Sequence, residues 1–182
     1  MIQNWMSWEG GTDFVAKTDP SLDQFNVLLH FGRMVHTPVG SAPSGMILWA
    51  PNGMGPDAIV GYVSEDPVVG AYFGPNVFAG TPFESAPVLN GKIEITDIEG
   101  GMRTRVEVAG HVFEFDLTDL GPTELIHRGM GEPMPFAQQG LEAAAGKASL
   151  RVNGEDVKIH VLEHGIAGNS GAIVSPCGVY AR

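Results

Sequence analysis

The chain has 182 residues, of which 43% are hydrophobic and 17% charged, a composition typical of one folded domain with a sizeable core. Its 10 Lys and Arg against 21 Asp and Glu give a formal net charge of −11. This acidity argues against nucleic acid and against an anionic membrane surface as partners. Cys177 is the single cysteine, so no intrachain disulfide forms, and no stretch resembles a signal peptide or a membrane span. We therefore expect a cytoplasmic, acidic protein with one β domain over 1–182.

The first 24 residues carry aromatic side chains in a polar setting. Trp5, Trp8 and Phe14 interrupt the polar sequence here. Such rings serve as packing anchors more often than as ligand contacts, because most of their area is apolar. We expect residues 1–24 to form an N-terminal arm or a first strand laid across the fold.

Residues 25–36 (FNVLLHFGRMVH) are apolar at both alternating positions. A strand that is apolar on both faces lies between a core and a second covered surface or cavity. Alternation places these side chains on one face: Phe25, Val27, Leu29, Phe31 and Val35. It places these on the other: Leu28, His30, Met34 and His36.

The strand MILWA, residues 46–50, is also apolar on both faces. Successive side chains of a strand point to opposite faces. Trp49 therefore lines a cavity only if its face is the inner one, which excludes Met46 unless the strand twists or bulges.

Residues 64–83 combine aromatic side chains with helix-breaking Gly and Pro. An irregular segment of this length inside a compact domain is typical of a lid or binding loop, or of a plug that closes one end of a barrel. We give both interpretations equal weight. The aromatic side chains concerned are Tyr72, Phe73, Phe78 and Phe83.

Residues 92–117 alternate strictly around two Gly-containing turns and predict an antiparallel three-stranded meander. A turn at Gly100-Gly101 places Ile95 opposite Val106, and a turn at Ala109-Gly110 places Val106 opposite Phe113. On the outer face the second turn predicts two cross-strand ion pairs, Arg105 with Glu114 and Arg103 with Asp116.

The C-terminal third predicts the one helix of the chain and another hairpin. Residues 136–146 are rich in Ala, Gln and Glu and predict a short helix. Residues 148–164 predict a hairpin about Asn153-Gly154 with Leu150 opposite Val157. With about nine strands in all, we predict a mainly β fold, an antiparallel barrel or a strongly bent sandwich. The strand count and pocket composition are similar to those of calycins, by analogy only.

The histidines do not form a metal motif. His160 to His164 carry the letters of the H-x-x-E-H zinc-peptidase motif, but they fall on a predicted strand, where about 13 Å separate the two rings. His30 and His36 are about 20 Å apart on the same reasoning, unless Gly32 kinks the strand. No phosphate loop and no nucleophile elbow is present either. We expect neither a metal nor a cofactor.

His30 is the candidate general acid or base, with a pKa that we expect burial to lower. A core histidine bonded to a backbone carbonyl is the plainer interpretation. Tyr72 or Tyr62 would donate to a substrate oxygen, and Glu65 is an alternative base. The side chains expected to line the pocket are Met34, His36, Met46, Trp49, Phe73 and Phe78.

These features favour an enzyme that needs no cofactor and performs acid–base chemistry, as an isomerase, cyclase, or lyase or hydratase, on a small and largely apolar molecule. A carrier for such a molecule needs the same pocket without convergent polar groups. The third hypothesis is an interaction module without a cavity, in which a homo-oligomer covers Trp5 and Trp8.

Overall fold

The computed structural model describes residues 3–131 and 134–182, and this part of the chain is mainly β, with 60% of it in strands. Its helical elements are a short helix α1 (Pro67–Tyr72) and the π-helical turn Phe73–Val77 that follows it. The strands of the described residues are β1 (Trp5–Lys17), β2 (Val27–Thr37), β3 (Gly40–Trp49), β4 (Ile59–Ser64), β5 (Val88–Ile98), β6 (Gly101–Val108), β7 (His111–Leu120), β8 (Glu124–Arg128), β9 (Ala137–Val152), β10 (Glu155–Val157), β11 (His160–Val161) and β12 (Ala172–Ala181).

The strands join into one sheet that closes on itself. Its order runs β9-β12-β1-β2-β3-β4-β5-β6-β7, and β7 pairs with β9 to complete the ring. Each of these pairs is antiparallel except β4–β5, which is parallel. A parallel pair needs a crossover, and residues 65–87, with α1, supply it. We call residues 65–87 the crossover segment.

Two groups of buried side chains lie on opposite faces of β1, β2 and β3. The first, which we call the closed core, packs these strands against β5–β7; its largest members include Phe14, Leu29, Phe31, Ile47, Phe113 and Phe115. The second, which we call the aromatic cluster, packs the other face against the crossover segment; it includes Trp8, Leu28, Met46, Tyr62, Phe73, Phe78 and Tyr180. The expectation that β2 is covered on both faces is confirmed.

Within both β1 and β2, the side chains that point to a given face change from even-numbered to odd-numbered positions, or the reverse, where the sheet bends. Trp8 belongs to the aromatic cluster and Phe14 to the closed core, although both numbers are even. Gly10 lies between them with φ +63°, a conformation that glycine adopts readily. In β2 a bulge between Gly32 and Val35 has the same effect. Val35 therefore joins the aromatic cluster, and its predicted place beside Phe31 and Leu29 is wrong.

The meander prediction is confirmed for its second turn and shifted for its first. Val106 pairs with Phe113 and Arg103 with Asp116, as the Ala109-Gly110 turn requires. The predicted ion pair of Arg103 with Asp116 forms, but that of Arg105 with Glu114 is wrong: the two residues are opposed, yet Arg105 binds Glu107 and Glu114 binds Arg151. In the first hairpin Ile93, not Ile95, pairs with Val106. The turn lies one residue earlier than predicted, so the register moves by two residues and the apolar face is retained.

The predicted helix at 136–146 is wrong. These residues belong to β9, which pairs with β12 along its first half and with β7 along its second. Helix propensity is a weak preference, and pairing along both halves of the strand outweighs it. Gly140 suits this close packing, because a Cβ there would lie 2.7 Å from the carbonyl oxygen of Cys177. The Asn153-Gly154 hairpin is as predicted.

The N-terminal residues are a central strand rather than an arm. β1 pairs with β2 on one side and β12 on the other over most of its length. The described strands number twelve, against about nine predicted, and β8, β10 and β11 are short strands that lie off the closed ring. No helix in 3–131 or 134–182 has the length and apolar content needed to cross a bilayer.

Candidate functional site

A pocket lies on the aromatic-cluster side of the sheet. Its base is a row of side chains from neighbouring strands, brought together by the strand register. Five neighbouring strands, β12, β1, β2, β3 and β4, each contribute one residue to a row of directly opposed partners. In that order the residues are Ile173, Asp13, His30, Met46 and Tyr62. Opposed residues of a sheet point to the same face. All five side chains therefore line the same pocket.

The walls of the pocket are aromatic and apolar. Phe73 and Phe78 come from the crossover segment, and Phe136 stacks on Tyr180 with 4.2 Å between ring centroids. The cavity has a volume of about 40 Å³, which is room for the centres of about three water molecules. A larger ligand enters only when these rings move apart.

A carboxylate and an imidazole meet at the polar end of the pocket. Asp13 Oδ2 lies 3.5 Å from His30 Nδ1 and accepts a 3.4 Å hydrogen bond from Asn169 Nδ2. The side chain of Asp13 is 7% exposed and that of His30 is 23% exposed. Asp13 Oδ1 and Asn169 Oδ1 are buried and have no hydrogen-bond partner among the described residues. The carboxylate is therefore incompletely bonded, which is costly for a buried charge.

The charge of Asp13 controls the protonation of His30. Burial on its own lowers the pKa of His30, but the charge and hydrogen bond of Asp13, with a smaller contribution from Glu142, outweigh burial and raise the pKa. The expectation that burial lowers this pKa is wrong, because the opposed carboxylate was not foreseen. Since Nδ1 faces Asp13, Nε2 is the nitrogen left to exchange a proton with a ligand.

Tyr180 brings a phenol to the same end of the pocket. Its ring centroid lies 6.5 Å from that of His30, with the two rings nearly parallel. Burial, followed by the negative charges of Asp13 and Glu142, raises the pKa of Tyr180. The hydroxyl therefore stays protonated and keeps its ability to donate a hydrogen bond.

A second buried carboxylate, Glu142, is fully bonded. Arg128 donates to it from Nη1 and Nη2, each at 2.9 Å, and Gln138 donates from Nε2 at 2.8 Å. Arg128 also donates to Gln138 Oε1 at 2.9 Å. The three side chains form a closed network in which each charge has its partner.

Five of the predicted site residues line the pocket, namely His30, Met46, Tyr62, Phe73 and Phe78. Tyr62, however, donates its hydroxyl hydrogen bond to the carbonyl oxygen of Phe83 at 2.9 Å, so it fastens the crossover segment to the sheet. Burial also raises the pKa of Tyr62. Its phenol is engaged by the protein and is not the donor that a substrate would meet.

Tyr72 and Glu65 do not line the pocket, and each accepts a hydrogen bond from a backbone N–H group. The Tyr72 hydroxyl accepts a 3.2 Å hydrogen bond from the backbone N–H of Trp5, and Glu65 Oε1 accepts one from Ile93 at 2.9 Å. Trp49 also lies elsewhere: it is on the closed-core face, where its ring centroid is 5.7 Å from that of Phe113.

Met34 and His36 are also outside the pocket, because the bulge in β2 turns them away. His36 lies half-exposed between the side chains of Glu9 and Ser41, with 2.8 Å to each. The alternation that placed both residues beside His30 does not continue through the bulge.

Sequence reasoning missed Asp13, Asn169 and Tyr180. Asp13 carried a usable signal, since it immediately precedes the apolar residues Phe14-Val15-Ala16. A charged residue at such a position is either paired or functional. Asn169 lies in the loop before β12, and nothing in its local sequence distinguishes it.

The described residues contain no group of three or more His, Cys, Asp or Glu side chains placed to hold a metal ion. Comparison with protein-family models, with curated proteins and with solved structures finds no match to this chain. The site is therefore interpreted from its own chemistry.

Proposed function

We propose that the chain is an enzyme of the isomerase, cyclase, or lyase or hydratase type that performs acid–base chemistry on a small, largely apolar molecule. Of the two predicted architectures, we interpret the closed ring of strands as the β-barrel, with the pocket on the aromatic-cluster face of β1–β3. The observation that supports the proposal most is the pairing of Asp13 with His30 inside an otherwise apolar cavity. A base in such surroundings is oriented by its carboxylate and poorly solvated, as proton transfer from carbon requires.

In this proposal His30 Nε2 takes a proton from a carbon next to a carbonyl group, and the C–H electron pair moves into the carbonyl π system. Asp13 holds the imidazole by Nδ1 and stabilises the imidazolium that forms. Tyr180 donates a hydrogen bond to the oxygen that gains negative charge. The imidazolium then returns the proton to another carbon, which gives an isomer, or to a leaving group, which completes an elimination.

The second candidate is a carrier that holds the same kind of molecule without changing it. The narrow, aromatic-walled cavity supports this candidate, because rings that must part for entry also slow release. The two candidates differ in one respect only: a carrier does not need the imidazole to exchange a proton with its ligand.

Exchange of ketone α-hydrogens in D₂O tests the proposal. The probes are acetone, cyclopentanone and cyclohexanone; binding is followed by the NMR signal of the Met46 methyl group, and exchange by loss of the ketone α-proton signal. We expect exchange by the wild-type protein to exceed that of His30→Ala by about 10²–10⁴-fold. His36→Ala is the matched control, since His36 lies outside the pocket, and its rate should equal that of the wild type.

Two results would contradict the proposal. Equal exchange by the wild type and His30→Ala, with a bound ketone, would leave the carrier as the better account. Absence of binding by all three ketones would show that the cavity does not open to small apolar molecules, and would count against both candidates.

A further inference from the structure

We propose that the molecule bound in this pocket carries a neutral hydroxyl group that donates a hydrogen bond to Asp13 Oδ1. This inference rests on the proposed function and deepens it, because it narrows the chemical class of the substrate: besides the carbonyl group next to which the proton is removed, the substrate carries a hydroxyl group on an apolar body. The unfilled acceptor capacity of a single buried carboxylate supports it.

Asp13 has far fewer hydrogen bonds than its burial demands. A carboxylate offers about four acceptor positions. In Asp13 one oxygen has two long contacts, at 3.4 and 3.5 Å, and the other has no partner among the described residues. Leaving such a group unbonded in an apolar site is unfavourable. Because Asp13 lines the cavity, a ligand can supply the donor that the protein does not.

The neighbouring amide adds a second free acceptor. Asn169 points Nδ2 at Asp13, and this contact fixes which end of the amide faces the carboxylate. Its Oδ1 is buried without a partner among the described residues. Gly165 lies behind the amide, since a Cβ at that position would be 2.5 Å from Oδ1. The two atoms without a partner, Asp13 Oδ1 and Asn169 Oδ1, are both hydrogen-bond acceptors. This end of the pocket therefore favours a ligand group that donates hydrogen bonds.

The charges around the pocket favour a neutral ligand. Glu142 has Arg128 as its positive partner, and Asp13 lies opposite His30. A carboxylate ligand would add a third negative charge beside these two buried carboxylates. An ammonium ligand would lose its hydration on entering a cavity whose walls are mostly aromatic and apolar. A hydroxyl group satisfies Asp13 without adding a charge.

The apolar body of the ligand would occupy the aromatic part of the cavity. Phe136 and Tyr180 form one wall, and Phe78 lies at right angles to Phe136 with 5.6 Å between ring centroids. A flat ring packs well against such side chains once they have moved apart to admit it. Benzyl alcohol therefore serves as the probe, with a ring for this wall and one hydroxyl group for Asp13.

A matched set of three probes tests the inference. Benzyl alcohol has the donor, benzyl methyl ether has the same ring and oxygen without the donor, and benzoate replaces the hydroxyl group by a negative charge. Dissociation constants come from NMR titration of the full chain. We expect the alcohol to bind at least about tenfold more tightly than the ether, and benzoate to bind more weakly than either.

Two variants assign the preference to Asp13. Asp13→Leu keeps the approximate volume and removes both acceptors, so alcohol and ether should bind equally. Asp13→Asn, which retains a neutral acceptor, should keep only a reduced preference. His36→Ala is the control, since His36 lies outside the pocket, and it should keep the wild-type ratio.

Equal binding of alcohol and ether to the wild type would overturn the inference, as would no binding of either, or a preference that survives in Asp13→Leu. The comparison of the three probes on the wild-type protein tests the inference even if a variant fails to fold. A protein that prefers the alcohol but exchanges no ketone protons would keep this inference and lose the enzymatic proposal. A protein that exchanges them without any preference would do the reverse.

Discussion

Asp13 and Glu142 are equally buried carboxylates of the same pocket, yet the protein treats them differently. The side chain of each is 7% exposed. Glu142 accepts three hydrogen bonds of 2.8 to 2.9 Å, whereas Asp13 has two contacts of 3.4 and 3.5 Å. Burial alone therefore does not reveal what a carboxylate does. The number and length of its hydrogen bonds separate a structural group from one that retains capacity for a ligand.

Local geometry explains the difference. Gln138 precedes Glu142 by four residues on β9, and Arg128 reaches both side chains from β8. Arg128 is long and has several donors in a planar fork, so it satisfies both oxygens of Glu142 at once. Asp13 has the short imidazole of His30 opposite to it, and this ring offers one nitrogen. The two carboxylates should therefore differ in their contributions to stability as they do in hydrogen-bond geometry.

The largest effect should follow removal of the fully bonded carboxylate. Glu142→Ala leaves Arg128 without its partner and Gln138 with an unused donor. We expect the free energy of unfolding, measured by urea denaturation, to fall by about 3 kcal/mol. Glu124→Ala is the control, because Glu124 is the exposed partner of Glu142 in the β8–β9 register, and its effect should stay within about 0.5 kcal/mol. A loss below about 1 kcal/mol for Glu142→Ala would show that the network does not stabilise the fold.

Removal of the incompletely bonded carboxylate should have little effect on stability or should increase it. Asp13→Leu replaces a poorly solvated charge by an apolar side chain of similar size. We expect an unchanged free energy of unfolding or a gain of about 1 kcal/mol. A loss of more than about 2 kcal/mol would mean that Asp13 is as well satisfied as Glu142, and the contrast would disappear.

The two carboxylates should also affect the imidazole unequally. Asp13→Asn should lower the pKa of His30, measured by NMR titration, because burial then acts with little opposition. Glu142→Gln should lower it by less, since its charge makes the smaller contribution. The raised pKa stabilises the wild-type fold fully below the unfolded value of 6.5, and this contribution is lost as the pH rises through the folded pKa. Asp13→Asn should lack that pH dependence. An unchanged His30 pKa in this variant would contradict the conclusion that Asp13 raises the pKa of His30.

The sequence predicted those parts of the fold that depend on neighbouring residues. The two covered faces of β2 and the β6–β7 register follow from alternation and from the Ala109-Gly110 turn. The strand at 137–152 was not predictable in this way, because pairing with distant strands overrides its helix propensity.

The candidate site was predictable only in part, because distant residues compose it. His30 and the aromatic crossover segment were found from local pattern. Asp13, Asn169 and Tyr180 join His30 through strand register and through the loop before β12, and a bend at Gly10 sets the face on which Asp13 points. None of these relations appears in a short window of sequence.

A third carboxylate separates geometry from burial and should show the smallest effect. Asp116 accepts two hydrogen bonds from Arg103, each 2.7 Å long, so the pair has the same two-bond form as Glu142 with Arg128. Asp116 is 22% exposed and Arg103 41%, against 7% and 27% for the buried pair. Water therefore solvates the outer pair in both the folded and the unfolded state.

A double-mutant cycle on Arg103 and Asp116 should give a coupling energy of about 0.5 kcal/mol that falls with added salt. The same cycle on Arg128 and Glu142 should give about 2 kcal/mol or more with weaker salt dependence. Equal values would mean that hydrogen-bond geometry alone sets the strength of these pairs, and the inference from the unfilled oxygen of Asp13 would lose its energetic basis.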